Sequence, residues 1–449
     1  MTSAEIATLR GRIRDLMPGL RADLEALTRI PSVSLDAFDQ VHVGRSAEAV
    51  AALFAAEGFA VDIVRDCGRP AVIAHRAGPV GAPTVLLYAH HDVQPAGDEA
   101  LWESPPFEPT ERAGRLYGRG AADDKAGITA HLAAIREHGT ALPVSVTVFV
   151  EGEEEIGSDS LPLMLARHGE RLRADAIVLA DSTNWAVGTP ALTTTLRGLV
   201  RVVVTVSTLA HGVHSGMYGG VLPDALTALI RLLASLHTPD GDVAVGGLDQ
   251  GLASQLDFTE ERLRAEAGAL EGVSLIGSGD LLSRLWMKPA ISTIGIDAPS
   301  VDSAANTLVP SARAKVSMRV APTQDPDAAY ELLKAHLMAN VPWGAHVEVE
   351  LEDKGAGFAA DATGPIYDEV RAAFADAWGV PPVDIGVGGS IPFVAAFADR
   401  FPDAALLVTG VEDPDARAHG ANESLHLGEW ERACLAEAIF LARLGRHSG

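Results

Sequence analysis

Along the first part of the chain, short apolar runs alternate with stretches whose apolar positions recur at helical spacing. The runs are TVLLYA (84–89), VSVTVFV (144–150) and AIVLA (176–180), each bounded by turn residues or charge. Runs this short and continuous predict strands buried on both faces, as in a parallel sheet. Helices are predicted near 4–30 and 46–58, and over KAGITAHLAAIREHG (125–139). The rhythm predicts an α/β domain with a mostly parallel sheet flanked by helices.

The middle of the chain follows another pattern. LVRVVVTV (199–206) predicts a strand, and PDALTALIRLLASL (223–236) a helix. ISTIGI (291–296) and the alternating ARAKVSMRV (312–320) predict two more strands. DPDAAYELLKAHLMAN (325–340) is helical, and HVEVEL (346–351) alternates again. The order β-α-β-β-α-β is ferredoxin-like. From about residue 360 the α/β rhythm returns, with a helix near 364–377, a strand at 404–410 and a closing helix near 428–444. The expected domains are therefore a discontinuous one, 1–193 and 357–449, and an inserted α+β one, 194–356.

Composition narrows the function. Lys and Arg number 35 against 60 Asp and Glu, a net charge of −25 that would repel phosphate backbones. No nucleic-acid partner is expected. The chain has no apolar run long enough to span a bilayer, and its first residues lack the apolar core of a signal peptide. No membrane partner and a cytoplasmic location are the expectations. Cys67 and Cys434 are too few for a disulfide framework or a cysteine-rich metal site.

Candidate chemistry gathers at strand ends, where α/β proteins place ligands. In AHHDVQP, His90 and Asp92 are two apart on an extended segment and share a side, while His91 points the other way. Gly118-x-Gly120 resembles a dinucleotide loop, but Asp123 occupies the third glycine position, where a pyrophosphate would approach. Asp123 is thus either an N-cap for the following helix or a metal ligand. EGEEEIGSDS follows the strand 144–150 directly, and Asp181 follows 176–180. Three strands therefore bring His90, Glu154 with Glu155, and Asp181 to one sheet edge. His419 comes after a later strand. Imidazoles mixed with carboxylates suit zinc or a similar divalent ion, and a bridging carboxylate would allow two. His75, His138 and His336 lack such company and read as surface or core residues. A serine hydrolase would need a Gly-x-Ser-x-Gly elbow, which the sequence lacks.

Together HHDVQP, WESPPFEP, LYGRGAADDKAG, EGEEEIGS, LADS, HSGMYGG, GGSIP and AHGANES span roughly residues 85–425. In kind and order they resemble the co-catalytic zinc metallopeptidase family. That family includes carnosine dipeptidases, cytosolic nonspecific dipeptidases, aminoacylase-1-type enzymes, acetylornithine deacetylase and succinyl-diaminopimelate desuccinylase. DVQP, HSGMYGG and GGSIP lean toward its dipeptidase branch. The resemblance implies that His90 and Asp181 bind one metal, Glu155 and His419 the other, and that Asp123 bridges both. It makes Asp92 the partner that orients His90 and Glu154 the general base. The resemblance to the family motif EG-x-EE-x-GS implies Glu154 and Glu155 as the functional pair and Glu153 as a variable position. The resemblance also casts His214 as a histidine that reaches the partner subunit's site to polarise the scissile carbonyl. Arg319, Asn306, Gly389 and Ser390 become substrate-binding residues, with Arg319 on the carboxylate.

The resemblance implies hydrolysis of the amide bond of dipeptides or short peptides by a metal-bridged hydroxide. It implies two divalent ions per subunit, Zn²⁺ first and Mn²⁺ or Co²⁺ as alternatives. It also implies a homodimer formed through the inserted lid domain. The alternatives are an N-acyl-amino-acid deacylase using the same metals and, more remotely, a non-catalytic binding protein on the same fold. Ala89 stands where relatives often have Gly, Gly386 and Val387 where they often have Arg-Glu, and Gly212 where an Asp is common.

Overall fold

The computed structural model describes residues 1–253, 255–389 and 391–448. The chain forms two compact units, Met1–Thr194 with Ala360–Ile385 and Pro392–Gly449, and Thr195–Ala359 with Gly386–Ile391.

In the first unit the central sheet runs, in spatial order, Ala60–Val64, Ala71–Arg76, Ser145–Glu151, Thr84–His90, Ala176–Leu179, Ala405–Val408 and Ala191–Leu196. Ser145–Glu151, Thr84–His90, Ala176–Leu179 and Ala405–Val408 are mutually parallel, with His90 opposite Glu151 and Tyr88 opposite Leu179. Their side chains are buried almost throughout, which is why the runs are continuously apolar rather than alternating. Helices Ser3–Thr28, Lys125–His138, Pro365–Trp378 and Leu427–Leu444 pack with one another. Helix Leu161–Leu172 packs with Pro392–Arg400, whose Phe393 stacks on Tyr88 at 4.3 Å. Because four neighbouring strands run the same way, the segments after them emerge at one edge.

A small antiparallel sheet had no clear signal in the sequence. Ser424–His426 pairs with Arg115–Tyr117, which pairs with Thr110–Arg112. It ties the late AHGANES segment to the glycine-rich segment before Asp123.

The second unit is an antiparallel four-stranded sheet in the order Ala290–Asp297, Ser311–Val320, Gly198–Ser207, His346–Gly355. Val200, Val202, Val204 and Val206 alternate inward and pack with Leu229 and Leu232 of helix Ala225–Ala234 and Leu333 and Leu337 of helix Pro326–Asn340. This is the ferredoxin-like order expected from the pattern. Helices Glu260–Ala267 and Leu281–Trp286 are additions that the pattern did not announce. The segment Gly386–Ile391 belongs to this unit. A Cβ on Gly386 would lie 2.6 Å from Thr195 Oγ1 and 2.7 Å from Trp286, so the indole of Trp286 occupies the space a larger residue would need. That is a physical reason for glycine at this position.

Candidate metal centre and active site

His90 ends its strand fully buried, and its imidazole meets two carboxylates. Its Nε2 lies 3.0 Å from Asp123 Oδ1 and 3.8 Å from Asp181 Oδ1. The other oxygen of Asp123, Oδ2, is 3.1 Å from His419 Nε2, which is itself 3.1 Å from Glu155 Oε2. Asp123 therefore presents one oxygen to each histidine. Ligand atoms of His90, Glu154 and Asp181 fall within 4.8 Å of one another, as do those of His90, Asp123 and Glu155. His91 points elsewhere, with Nε2 2.8 Å from the carbonyl of Pro70. The N-cap of the helix Lys125–His138 is Asp124, not Asp123.

Supporting groups hold these side chains in place. Asp92 Oδ1 accepts from Glu154 N at 3.2 Å and Oδ2 from Glu155 N at 3.1 Å. His90 Nδ1 lies 3.1 Å from the Asp92 carbonyl and 3.5 Å from its carboxylate. One buried carboxylate thus locks the backbone of both glutamates and faces the far side of the histidine ring, an arrangement that orients metal ligands. Gln94 of DVQP donates from Nε2 to Glu155 Oε2 at 2.8 Å and from its backbone N to Oε1 at 3.1 Å. His419 has a φ of 62°, uncommon for a residue with a side chain and the kind of local strain met at functional sites.

Glu423 was not singled out in the sequence, yet it organises the ligand loop. Its buried carboxylate accepts from the backbone N of Gly120, Ala122 and Asp123 at 3.0, 3.0 and 3.1 Å, and from Arg119 Nη1 at 2.6 Å. The small antiparallel sheet brings it there. Replacing Glu423 with Ala leaves Arg119 buried without its acid and strips three amides of their acceptor. Breaking one partner of a buried ion pair costs about 3–5 kcal/mol. The expected result is a fall of that size in unfolding free energy by urea titration, with weaker metal binding.

The electrostatics point to cations. Burial opposes ionisation of His90, but Asp123, Asp181 and Asp92 outweigh it and raise its pKa well above 6.5. Hydrogen bonds to Asp123 and Glu155 push His419 up to about 11. Burial and the charge of Asp123 raise Glu155 to about 7. Glu154 is raised well above its ordinary value by burial and by Asp181, and buried Glu412 by burial, Asp123 and Asp181. Carboxylates outnumber the two imidazoles and repel one another. A pair of divalent cations is the natural counter-charge, and the donor set of imidazole and carboxylate oxygen suits such ions.

In the second unit, His214 is exposed on a two-residue strand opposite Thr307. Its Nδ1 accepts from Gly216 N at 3.0 Å, so the neutral ring carries its proton on Nε2 and can donate there. Asn306 adjoins it, with its carbonyl accepting from Ser215 N at 2.9 Å. Arg319 lies on the strand Ser311–Val320 opposite Leu199, half-buried, its pKa lowered by burial and by Arg201. Arg197, which the sequence did not single out, is buried beside Gly388, donating to its carbonyl at 3.0 Å and feeling the charge of Arg319. Gly389 follows, and Ser390 lies outside the described residues.

A mostly parallel α/β sheet with imidazoles and carboxylates at one edge defines a metal-dependent hydrolase. The pattern of peptidase family M20/M25/M40 matches residues 86–443, and the chain belongs to that family. It is 39% identical over 376 residues to the cysteinylglycine-S-conjugate dipeptidase of Corynebacterium striatum, across 82% of this chain and 83% of the relative. It is 28% identical over 402 residues to the Beta-Ala-His dipeptidase of Rattus norvegicus, across 85% and 81%. The solved structure of the dipeptidase Dug1p from Saccharomyces cerevisiae has a TM-score of 0.83 at 24% identity, covering 99% of both chains. Among the described residues, no helix is long and apolar enough to cross a membrane.

Proposed function

We propose that this chain hydrolyses the amide bond of dipeptides or short peptides. Two divalent ions would be held by His90 with Asp181 and by Glu155 with His419, Asp123 serving both. The observation that carries this reading is Asp123 with one oxygen 3.0 Å from His90 and the other 3.1 Å from His419. Bound there, the ions would act as Lewis acids and lower the pKa of coordinated water toward neutrality. Zinc suits the donors best, with manganese and cobalt compatible.

The chain's own groups do the rest. Glu154 accepts the proton of the attacking water and returns it to the leaving amine, a role that suits a carboxylate with a raised pKa. Asp92 keeps Glu154 and Glu155 in register through their backbone amides. His214 donates from Nε2 to the carbonyl oxygen as charge develops there, and Arg319 pairs with the substrate carboxylate. Asn306, Gly389 and Ser390 are further substrate contacts. The relatives named as dipeptidases support this substrate class. The second reading is an N-acyl-amino-acid deacylase, which would use the same donor set. The free cysteines suit a reducing cytoplasm.

Chelation tests the core of this reading. Removing metal should abolish hydrolysis of dipeptides, and restoring zinc, manganese or cobalt should return it. Chelation-resistant turnover would sink the proposal. N-acetyl and N-succinyl amino acids in the same assay decide between the two substrate classes.

A homodimer through the second unit is part of the proposal. The edge strand Ala290–Asp297 offers its backbone to a second copy, with Ile294 53% and Ile296 47% exposed on it. If His214 acts in the partner's site, mixing inactive His214→Ala and Glu154→Gln chains should restore part of the activity. Action within one chain predicts no recovery.

A further inference from the structure

A second group of ligating side chains lies in the first unit and has no part in the chemistry above. Asp66 and Cys67 sit just after the strand Ala60–Val64, and His168 lies on the helix Leu161–Leu172. Their ligand atoms fall within 4.8 Å of one another. Cys67 Sγ is 3.5 Å and His168 Nε2 3.4 Å from the same oxygen, Asp66 Oδ1. Arg167 takes the other oxygen, Oδ2, at 3.0 Å. The carboxylate is therefore held with Oδ1 turned toward sulfur and imidazole. We propose that Asp66, Cys67 and His168 form a separate site for one borderline or soft divalent ion, such as zinc or cadmium, with a fourth position open to water.

The chemistry favours a metal over a nucleophile. Burial and the neighbouring Asp66 push the Cys67 thiol up, so the free side chain is a poor attacking group. One thiolate, one imidazole and one carboxylate oxygen are a recognised zinc donor mixture. Binding releases the thiol proton to solvent and forms the metal–sulfur bond. The imidazole proton moves from Nε2 to Nδ1. Arg171 Nη1, 3.5 Å from Nδ1, must then give up its contact with the ring and keep only the one with Asp62 Oδ2 at 3.0 Å. The loop is also tied to the active-site segment, because Arg69 N donates to Glu153 Oε2 at 2.9 Å, one residue before Glu154.

The dinuclear cluster has no sulfur ligand, and Cys434 is fully buried in the core. Thiolate-to-metal charge-transfer absorption therefore reports on Cys67 alone. Titrating the metal-loaded protein with Cd²⁺ should raise that band to saturation at one ion per chain, and Zn²⁺ should compete it away. Cys67→Ser should abolish it, and His168→Ala should weaken apparent affinity by at least about tenfold, as loss of even an outer partner does. In the unmodified protein, Zn²⁺ should also slow alkylation of Cys67, a readout that needs no variant. No band, a band that survives Cys67→Ser, or an affinity indifferent to His168 would overturn the proposal. Alkylation unchanged by Zn²⁺ would do so as well.

Discussion

Glu154→Gln should lower kcat by about 10²–10⁴-fold, the range contributed by a positioned general base, while metal content stays at two ions per chain. The amide keeps the shape of the side chain, and the backbone N that anchors it to Asp92 is untouched. Only the proton-accepting oxygen is lost. The wild-type carboxyl is forced toward its neutral form by burial and by the charge of Asp181. In the metal-free protein this raised pKa is a stability cost that grows as pH climbs from the ordinary 4.5 through the raised value. Glu154→Gln should therefore also raise the thermal midpoint of the metal-free protein at neutral pH. A variant that keeps near-normal turnover removes Glu154 as the base. A variant that loses one ion as well makes it a ligand instead.

The parts of the site that could be read from sequence are those governed by local periodicity. A strand's period of two put His90 and Asp92 on one side and sent His91 to the other, where it meets the Pro70 carbonyl. Parallel strands deliver their following residues to one edge, so Glu154, Glu155 and Asp181 could be grouped without a structure. The choice of Glu154 and Glu155 over Glu153 rests on the resemblance to the family motif, not on periodicity. In the structure Glu153 is turned away, capping the amides of Arg69 and Ser160. What stayed hidden depends on long-range pairing. Glu423 meets Asp123 across 300 residues because two short strands join, and strands of three residues leave little pattern to find. Gln94 is one of many polar residues in a loop until Glu155 is seen against it. Arg197 looks like any charge between two strands, and only packing shows it buried beside Gly388. The helices inside 237–289 leave no signal for a different reason: they are short, and Glu260–Ala267 buries no residue, so it has no apolar stripe to reveal it.

Asp123→Asn should cost the chain both ions and all measurable turnover. Each oxygen of Asp123 faces a different histidine, so the substitution removes charge from both halves of the cluster at once. Losing an outer partner of a metal ligand weakens binding by about 10–100-fold, and losing a shared ligand should exceed that. Metal analysis after dialysis gives the first readout and dipeptide hydrolysis the second. Stability supplies a third. In the metal-free protein, burial opposes ionisation of Asp123, but His419 and His90 outweigh it and hold its pKa below the ordinary 3.8. Its contribution is therefore present above that value and lost as pH falls through the lower folded one. The metal-free variant should be less stable than the parent near neutrality, with the gap closing in strong acid. Retention of one ion at undiminished affinity would show that Asp123 serves a single metal. The bridging assignment would then fail even though the rest of the ligand set could stand.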